Sequence, residues 1–199
     1  MIPIQTIQTE TFSMEYIHFG SGKKTMIILP GVSVQSVMSS AQLIADAYDI
    51  FTKDYTLYVF ERRNHLPEDA SIHSMAEDMH IVLSQLGLKD IYLFGVSLGG
   101  MIGLDLTIHH PEEIKAFALG SGVARLHEKS QSVLEHWISL ASEGKVEDLE
   151  LSFGQMVYPE PVFEQFKQTF IEMAVRVKPE ELTQFIRCVS AVRSYDVLD

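Results

Sequence analysis

The sequence is short of cysteine, of basic charge and of long apolar runs, and each shortage narrows what the chain can be. Its one cysteine, Cys188, has no partner for an intrachain disulfide, a usage that suits a reducing cytosol. Set in an apolar, helix-like stretch, it reads as a small buried hydrophobe. Lys and Arg total 15 against 27 Asp and Glu, a formal net charge of −12. Such a surface repels phosphate backbones and anionic headgroups, so neither nucleic acid nor membrane is expected as a partner. No stretch approaches the roughly 20 apolar residues of a membrane span. The first residues, MIPIQTIQTE, have neither the basic start nor the apolar run of a secretory signal. The expected location is cytoplasmic, and no metal or cofactor is expected.

What is present suits a packed domain. With 199 residues, 46% of them apolar, the chain can form one domain, or one domain carrying an insertion. Short apolar runs at Met26–Leu29, Tyr55–Phe60, Ile91–Phe94 and Ile114–Leu119 read as strands. Segments with helical spacing lie between them, at 36–51, 71–86 and 101–109. The second is expected to carry a capping box from Ser74 to Glu77 and to stop at Gly87. A hairpin within 9–19 is expected to precede them. Strands alternating with helices predict an α/β fold, a mostly parallel sheet flanked by helices. From about 127 to 194 the spacing is helical throughout. One face there is read as Val133, Trp137 and Ala141, another as Phe163, Phe166 and Phe170. The division drawn is 1–125 for the α/β core and 126–199 for a helical region set upon it.

Gly95-Val96-Ser97-Leu98-Gly99 fits G-x-S-x-G, with a strand before it and a helix after it. In such an elbow a serine sits on a strained strand-to-helix turn, where side chains two residues away on either side would collide. Glycines at Gly95 and Gly99 remove those collisions. The turn raises the Ser97 hydroxyl to the sheet edge and points the first helical amides at the reacting centre. A phosphate-binding turn is the competing reading. It needs a glycine where Ser97 stands, and no G-x-x-x-x-G-K-[ST] loop occurs.

The chain resembles an α/β-hydrolase of the bacterial cap-domain type from about Met14 onward. The resemblance rests on Ile28-Leu29-Pro30-Gly31, Val59-Phe60-Glu61-Arg62-Arg63, Phe94-Gly95-Val96-Ser97-Leu98-Gly99-Gly100-Met101 and His110-Pro111-Glu112. It implies Ser97 as nucleophile, an oxyanion hole built from the amides of Leu98 and of Val32 or Ser33, and a helical cap over the site. Relatives often carry D-x-R-G-x-G-x-S after the second core strand. Here that stretch is Glu61-Arg62-Arg63-Asn64-His65-Leu66-Pro67, without the glycines, and Arg63 is read as a structural ion-pair residue.

What the resemblance leaves unfilled is the base. In this fold the chain order is serine, acid, histidine, and the stretch ending Ser194-Tyr195-Asp196-Val197-Leu198-Asp199 is similar to the exit from the cap. The expectation is therefore a truncated form lacking the triad acid and histidine. Among the histidines in hand, His127 is the first candidate base and His65 the second, since each follows a strand at the edge where Ser97 sits. His18, His73, His80, His109, His110 and His136 are read as surface or packing residues. The expected function is acyl hydrolysis of a small ester or related substrate, with Phe153, Met156 and Tyr158 as possible lining residues. A catalytically inactive fragment or binding module that retains the fold is the alternative. Carbon–carbon cleavage or cofactor-free oxygen chemistry is a third reading. Without the last strands, Ile114–Leu119 becomes a sheet edge, which predicts homo-oligomerisation.

Overall fold

The computed structural model describes residues 2–198. Six strands, β1 (Gln5–Gln8), β2 (Ser13–Gly20), β3 (Lys24–Leu29), β4 (Tyr55–Arg63), β5 (Ile91–Val96) and β6 (Ile114–Gly120), form one sheet in the order β1-β2-β4-β3-β5-β6. The pairings β4–β3, β3–β5 and β5–β6 are parallel, and β1–β2 and β2–β4 are antiparallel. The sheet is thus mixed, with the expected parallel core and an antiparallel hairpin added to one side. The hairpin begins at Gln5, earlier than the alternation at 9–19 suggests, and His18 lies within its second strand.

The two faces of the sheet are covered by different helices. Ile17, Ile28, Leu57 and Val59 pack under α1 (Ala41–Ala47) through Met38, Ala41 and Ala45. Ile27, Leu29, Phe60, Ile91 and Leu93 pack under α2 (Ile72–Leu86) and α3 (Leu98–His109). The expected helix over 36–51 is three pieces, with 3₁₀ turns at Val37–Ser40 and Asp49–Phe51 flanking α1. The first piece is drawn aside by Glu61, whose Oε2 accepts from Ser36 Oγ at 3.0 Å and from the Val37 amide at 2.9 Å. The capping box of α2 is one turn earlier than expected. Ser71 is the N-cap, and it exchanges hydrogen bonds with Ser74. Gly87 ends α2 with φ 66°, as a left-handed C-cap requires.

Residues beyond Arg125 form α4 (Glu128–Ser142), α5 (Val146–Val157), α6 (Glu160–Ala174) and α7 (Pro179–Arg193). Trp137 holds this block together. Its ring lies 5.0 Å from Phe153 and 6.5 Å from Phe185, and its Nε1 donates to Ser152 Oγ at 3.1 Å. Phe163 is buried against Phe170, but Phe166 is 47% exposed, so the expected three-phenylalanine face of α6 does not form.

The block sits down on the α/β layer through α7. Cys188, Val189 and Val192 join the cluster that holds Leu98 and Met101. Gln184 Nε2 donates to the Arg63 carbonyl at 2.7 Å, and its Oε1 accepts from the Leu66 amide at 3.1 Å. Arg187 donates to the Leu66 carbonyl, and Tyr195 to that of Met101 at 3.3 Å. The chain then returns beside the end of β6, where the Val197 amide donates to the Ala124 carbonyl at 3.0 Å. Among the described residues β6 pairs only with β5, and its Ala116, Ala118 and Leu119 are exposed.

Candidate active site

The site begins with one residue. β5 ends at Val96, α3 starts at Leu98, and Ser97 between them has φ 51° and ψ −118°. That lies outside the regions open to most side chains. The turn is over-determined by its neighbours. The Ser97 amide donates to the Gly120 carbonyl of β6 at 2.8 Å, and its carbonyl accepts from the Met101 amide at 3.0 Å. A Cβ on Gly95 would stand 2.4 Å from the Gly99 carbonyl oxygen, and one on Gly99 would stand 2.0 Å from that of Leu29. The two glycines therefore serve different contacts. One lets α3 start against its own strand, and the other lets α3 press against the end of β3.

The loop after β3 lies alongside. A Cβ on Gly31 would stand 3.4 Å from Ser97 Cβ, so the Gly31 backbone borders the serine, with Val32 and Ser33 next in line. Sequence reasoning missed what holds this loop. Arg62, only 8% exposed, donates through Nη1 to the carbonyls of Pro30 at 3.1 Å and Gly31 at 3.2 Å. Glu61 accepts from Arg62 Nη2 at 3.1 Å while gripping Ser36 and Val37. Arg63, as expected, makes a structural pair, 3.2 Å from Asp78, and lies over the Phe12 ring. Burial pushes the Asp78 carboxyl up against the opposing pull of Arg63. Leu98 is buried as the first residue of α3, where an amide has no intrahelical acceptor.

The Ser97 hydroxyl has no hydrogen-bond partner among the described residues, so no histidine bonds it. His127 is exposed and caps α4, its Nδ1 accepting from the Lys129 amide at 3.2 Å. Glu128 is a first-turn charge of that helix. His65 is exposed with φ 56°. His18 bonds Gln5 at 2.9 Å, and His136 is exposed on α4. His80 and His110 bond Glu113 and Glu77, each at 2.8 Å, while His73 and His109 share Asp105.

Two clefts flank the Val32–Ser36 loop. One, of about 190 Å³, is bounded by Arg62, His65, Gln184 and Cys188. Burial pushes the Cys188 thiol up to about 11, leaving it a packing residue. The other, of about 260 Å³, is bounded by Val32, Ser33, Glu150, Phe153, Tyr158 and Phe170. Met156 is 59% exposed and does not border it. Glu150 is 2% exposed, its Oε1 has no partner, and burial, with Glu181 adding to it, pushes the carboxyl up to about 7.

The fold is matched by comparison with known proteins. Residues 24–145 fit the profile of the alpha/beta hydrolase fold.

The chain belongs to the α/β-hydrolase fold family.

Similar proteins include the uncharacterized hydrolase YraK of Bacillus subtilis, 34% identical over 67 residues. That match takes in 30% of this chain and 25% of YraK, so it spans about a quarter of the relative's length. The putative carbamate hydrolase RutD of Agrobacterium fabrum is 21% identical over 177 residues, 87% of this chain and 67% of RutD. Among solved α/β-hydrolase structures, MGS-M2 from a Medee basin deep-sea metagenome library superposes with a TM-score of 0.84 at 18% identity, over 98% of this chain and 74% of that one. The enol-lactonase of Burkholderia xenovorans LB400 gives 0.77 at 18% identity, over 96% and 74%. Among the described residues no helix is long and apolar enough to cross a membrane.

Proposed function

We propose that this α/β-hydrolase chain carries the nucleophile and oxyanion half of a serine acyl hydrolase acting on a small-molecule ester or related acyl substrate. Ser97 attacks the carbonyl, and the amides of Leu98 and of Val32 or Ser33 hold the resulting oxyanion. Residues from about 126 onward act as the cap, with the Val32–Phe153 cleft as the substrate's wall, in a reducing cytosol. The observation that carries this reading is the Ser97 backbone, at φ 51° and ψ −118° with a hydroxyl left without a partner. Such strain persists where the surroundings over-determine it, and it clusters at sites of chemistry.

A serine hydroxyl needs a positioned base, and the histidines of these 199 residues are engaged or exposed elsewhere. The base in this reading is none of them. The 199-residue chain alone is then nearly inactive, as expected from the cost of losing a triad histidine, on the order of 10⁶ in kcat in a well-studied protease.

Chemical rescue tests the proposal. Hydrolysis of p-nitrophenyl acetate is measured with and without added imidazole, for the native chain and for Ser97→Ala. The expected result is near-background activity and, after subtraction of imidazole's own protein-free hydrolysis of the ester, an imidazole increment seen only when Ser97 is present. An imidazole increment identical in both proteins refutes Ser97 as nucleophile and favours a binding module that keeps the fold. Ordinary turnover without imidazole refutes the missing base.

A further inference from the structure

Four histidines gather where α2 meets α3, away from the Ser97 end of α3, and the sequence reading gave them no role. His73 from α2 and His109 from α3 converge on one carboxylate. His73 Nδ1 is 2.9 Å from Asp105 Oδ1, and His109 Nδ1 is 3.1 Å from the same oxygen. One ligand atom from each of the three residues lies within 4.8 Å of the other two. Asp105 is 3% exposed at its side chain, whereas His73 and His109 are 55% and 44% exposed. The carboxylate is thus fixed in the packed interface, and the two imidazoles face solvent, through which an ion can arrive.

Two imidazole nitrogens and one carboxylate oxygen form a borderline donor set. It suits zinc, nickel or cobalt better than magnesium or calcium, which prefer oxygen alone. Ligand bonds to zinc are about 2.0–2.1 Å, so two ligands of one ion stand at most roughly twice that apart. The two histidine–aspartate spacings already fall within that limit, and the exposed rings need turn only slightly to bring the third inside it. In the metal-free arrangement both Nδ1 atoms bring a proton to the same oxygen, while His109 Nδ1 is also 2.9 Å from its own helix's Asp105 carbonyl. One divalent ion replaces both protons and satisfies all three ligand atoms. The open side leaves room for water as a further ligand.

We infer that His73, Asp105 and His109 form a binding site for one divalent first-row transition cation of the zinc class. Bound there, the ion ties α2 to α3, the helix that begins at Ser97. The neighbouring His80 and His110 rings stack at 3.7 Å, but each has its own carboxylate, Glu113 and Glu77. With no shared ligand oxygen they serve as the internal control.

The test is calorimetric titration of the full 199-residue chain with zinc chloride in a non-coordinating buffer, with thermal unfolding followed in parallel. The expected result is saturable one-to-one binding and a raised Tm. His73→Ala and His109→Ala each weaken binding by at least about ten-fold, the lower end of what even outer-sphere losses cost, and His80→Ala leaves it unchanged. Both histidines are largely exposed, so these variants should fold, and far-UV circular dichroism checks that. Should one fail to fold, the native chain still decides the matter. Added cobalt must broaden or shift the imidazole proton resonances of His73 and His109 ahead of the other histidines. Absence of saturable zinc binding overturns the inference and leaves a hydrogen-bonded clasp. Binding that survives in the His73→Ala/His109→Ala double variant, or that is lost in His80→Ala alone, overturns it as well.

Discussion

The amide of Ser97 donates to the carbonyl of Gly120 at 2.8 Å, so the elbow is tied to the outermost strand, β6, as well as to its own strand and helix. The serine's unusual backbone is held from three sides: by β6, by the first turn of α3, and by the close approach of α3 to the end of β3.

That approach makes the two kinds of glycine in this chain separable. At Gly99 an added methyl would meet the Leu29 carbonyl oxygen at 2.0 Å, whereas at Gly87 nothing lies within 4 Å and only φ 66° is at issue. Gly87→Ala is expected to cost about 1 kcal/mol, the ordinary penalty for a left-handed alanine. Gly99→Ala must move β3 or α3 and is expected to cost about 3 kcal/mol or more. Urea denaturation of both variants checks the ordering; equal costs would contradict the packing described for α3.

Arg62 is expected to matter more than Arg63. Replacing Arg62 by Met removes the cation beside Glu61 and frees the Pro30 and Gly31 carbonyls together, at a side chain only 8% exposed. Removing one partner of a buried pair costs about 3–5 kcal/mol. Arg62→Lys should recover only part of this, because an ammonium cannot reproduce the fork that reaches two carbonyls and a carboxylate. Equilibrium unfolding, with loosening of the 30–37 loop followed by amide hydrogen exchange, is the measurement.

Glu150 sets a pH dependence with a definite sign. Its carboxyl is pushed from the usual 4.5 up to about 7, first by burial and then by Glu181 on α7. Between those values the folded chain holds a proton that the unfolded chain has released. Stability from this group is therefore highest below about 4.5, falls as pH rises toward 7, and stays lowered above it. A displacement of that size corresponds to on the order of 3 kcal/mol. Glu150→Gln, which keeps the shape and removes the charge, should flatten the profile and be more stable than the native chain at mildly alkaline pH. Urea midpoints across the acid-to-alkaline range would show it, and an unchanged slope in the variant would count against the assignment.

The 199-residue chain is expected to self-associate through β6. That strand offers unpaired backbone groups on its outer side, with Ala116, Ala118 and Leu119 exposed, Leu119 to 45%. The helical block packs on the face of the sheet through α7 and leaves this edge uncovered. Sedimentation velocity over a range of concentrations should show a shift that Leu119→Lys diminishes. A concentration-independent 22.5 kDa species would refute it.

The elbow was legible because its determinants are local. A strand, G-x-S-x-G and a helix lie in direct succession, and the glycine collisions are set by residues within a few positions of Ser97, apart from the Leu29 contact. The parallel core was legible from apolar runs spaced by amphipathic ones. The grip of Glu61 and Arg62 on the loop beside the serine was not, because their partners are mainly backbone groups around Pro30–Val37, which carry no side-chain signature. The same grip explains why the segment from Ser36 is not one helix. Phe166 shows the opposite failure, since helical spacing placed it on the face of buried Phe163 and it stands 47% exposed. Of the His73–Asp105–His109 cluster, only the Asp105–His109 spacing of four on α3 was visible in sequence; its third member needs the packing of α2.

The backbone at Ser97 also limits which chemistries can arise at this position by descent. With φ 51° and ψ −118°, a β-branched side chain would press its second branch on the flanking peptide groups. Replacements at this position are therefore expected to be small or unbranched side chains such as cysteine or aspartate, with threonine disfavoured despite having the same hydroxyl. Random substitution at codon 97, selected only for folded protein, should return that restricted set before any activity is asked of it.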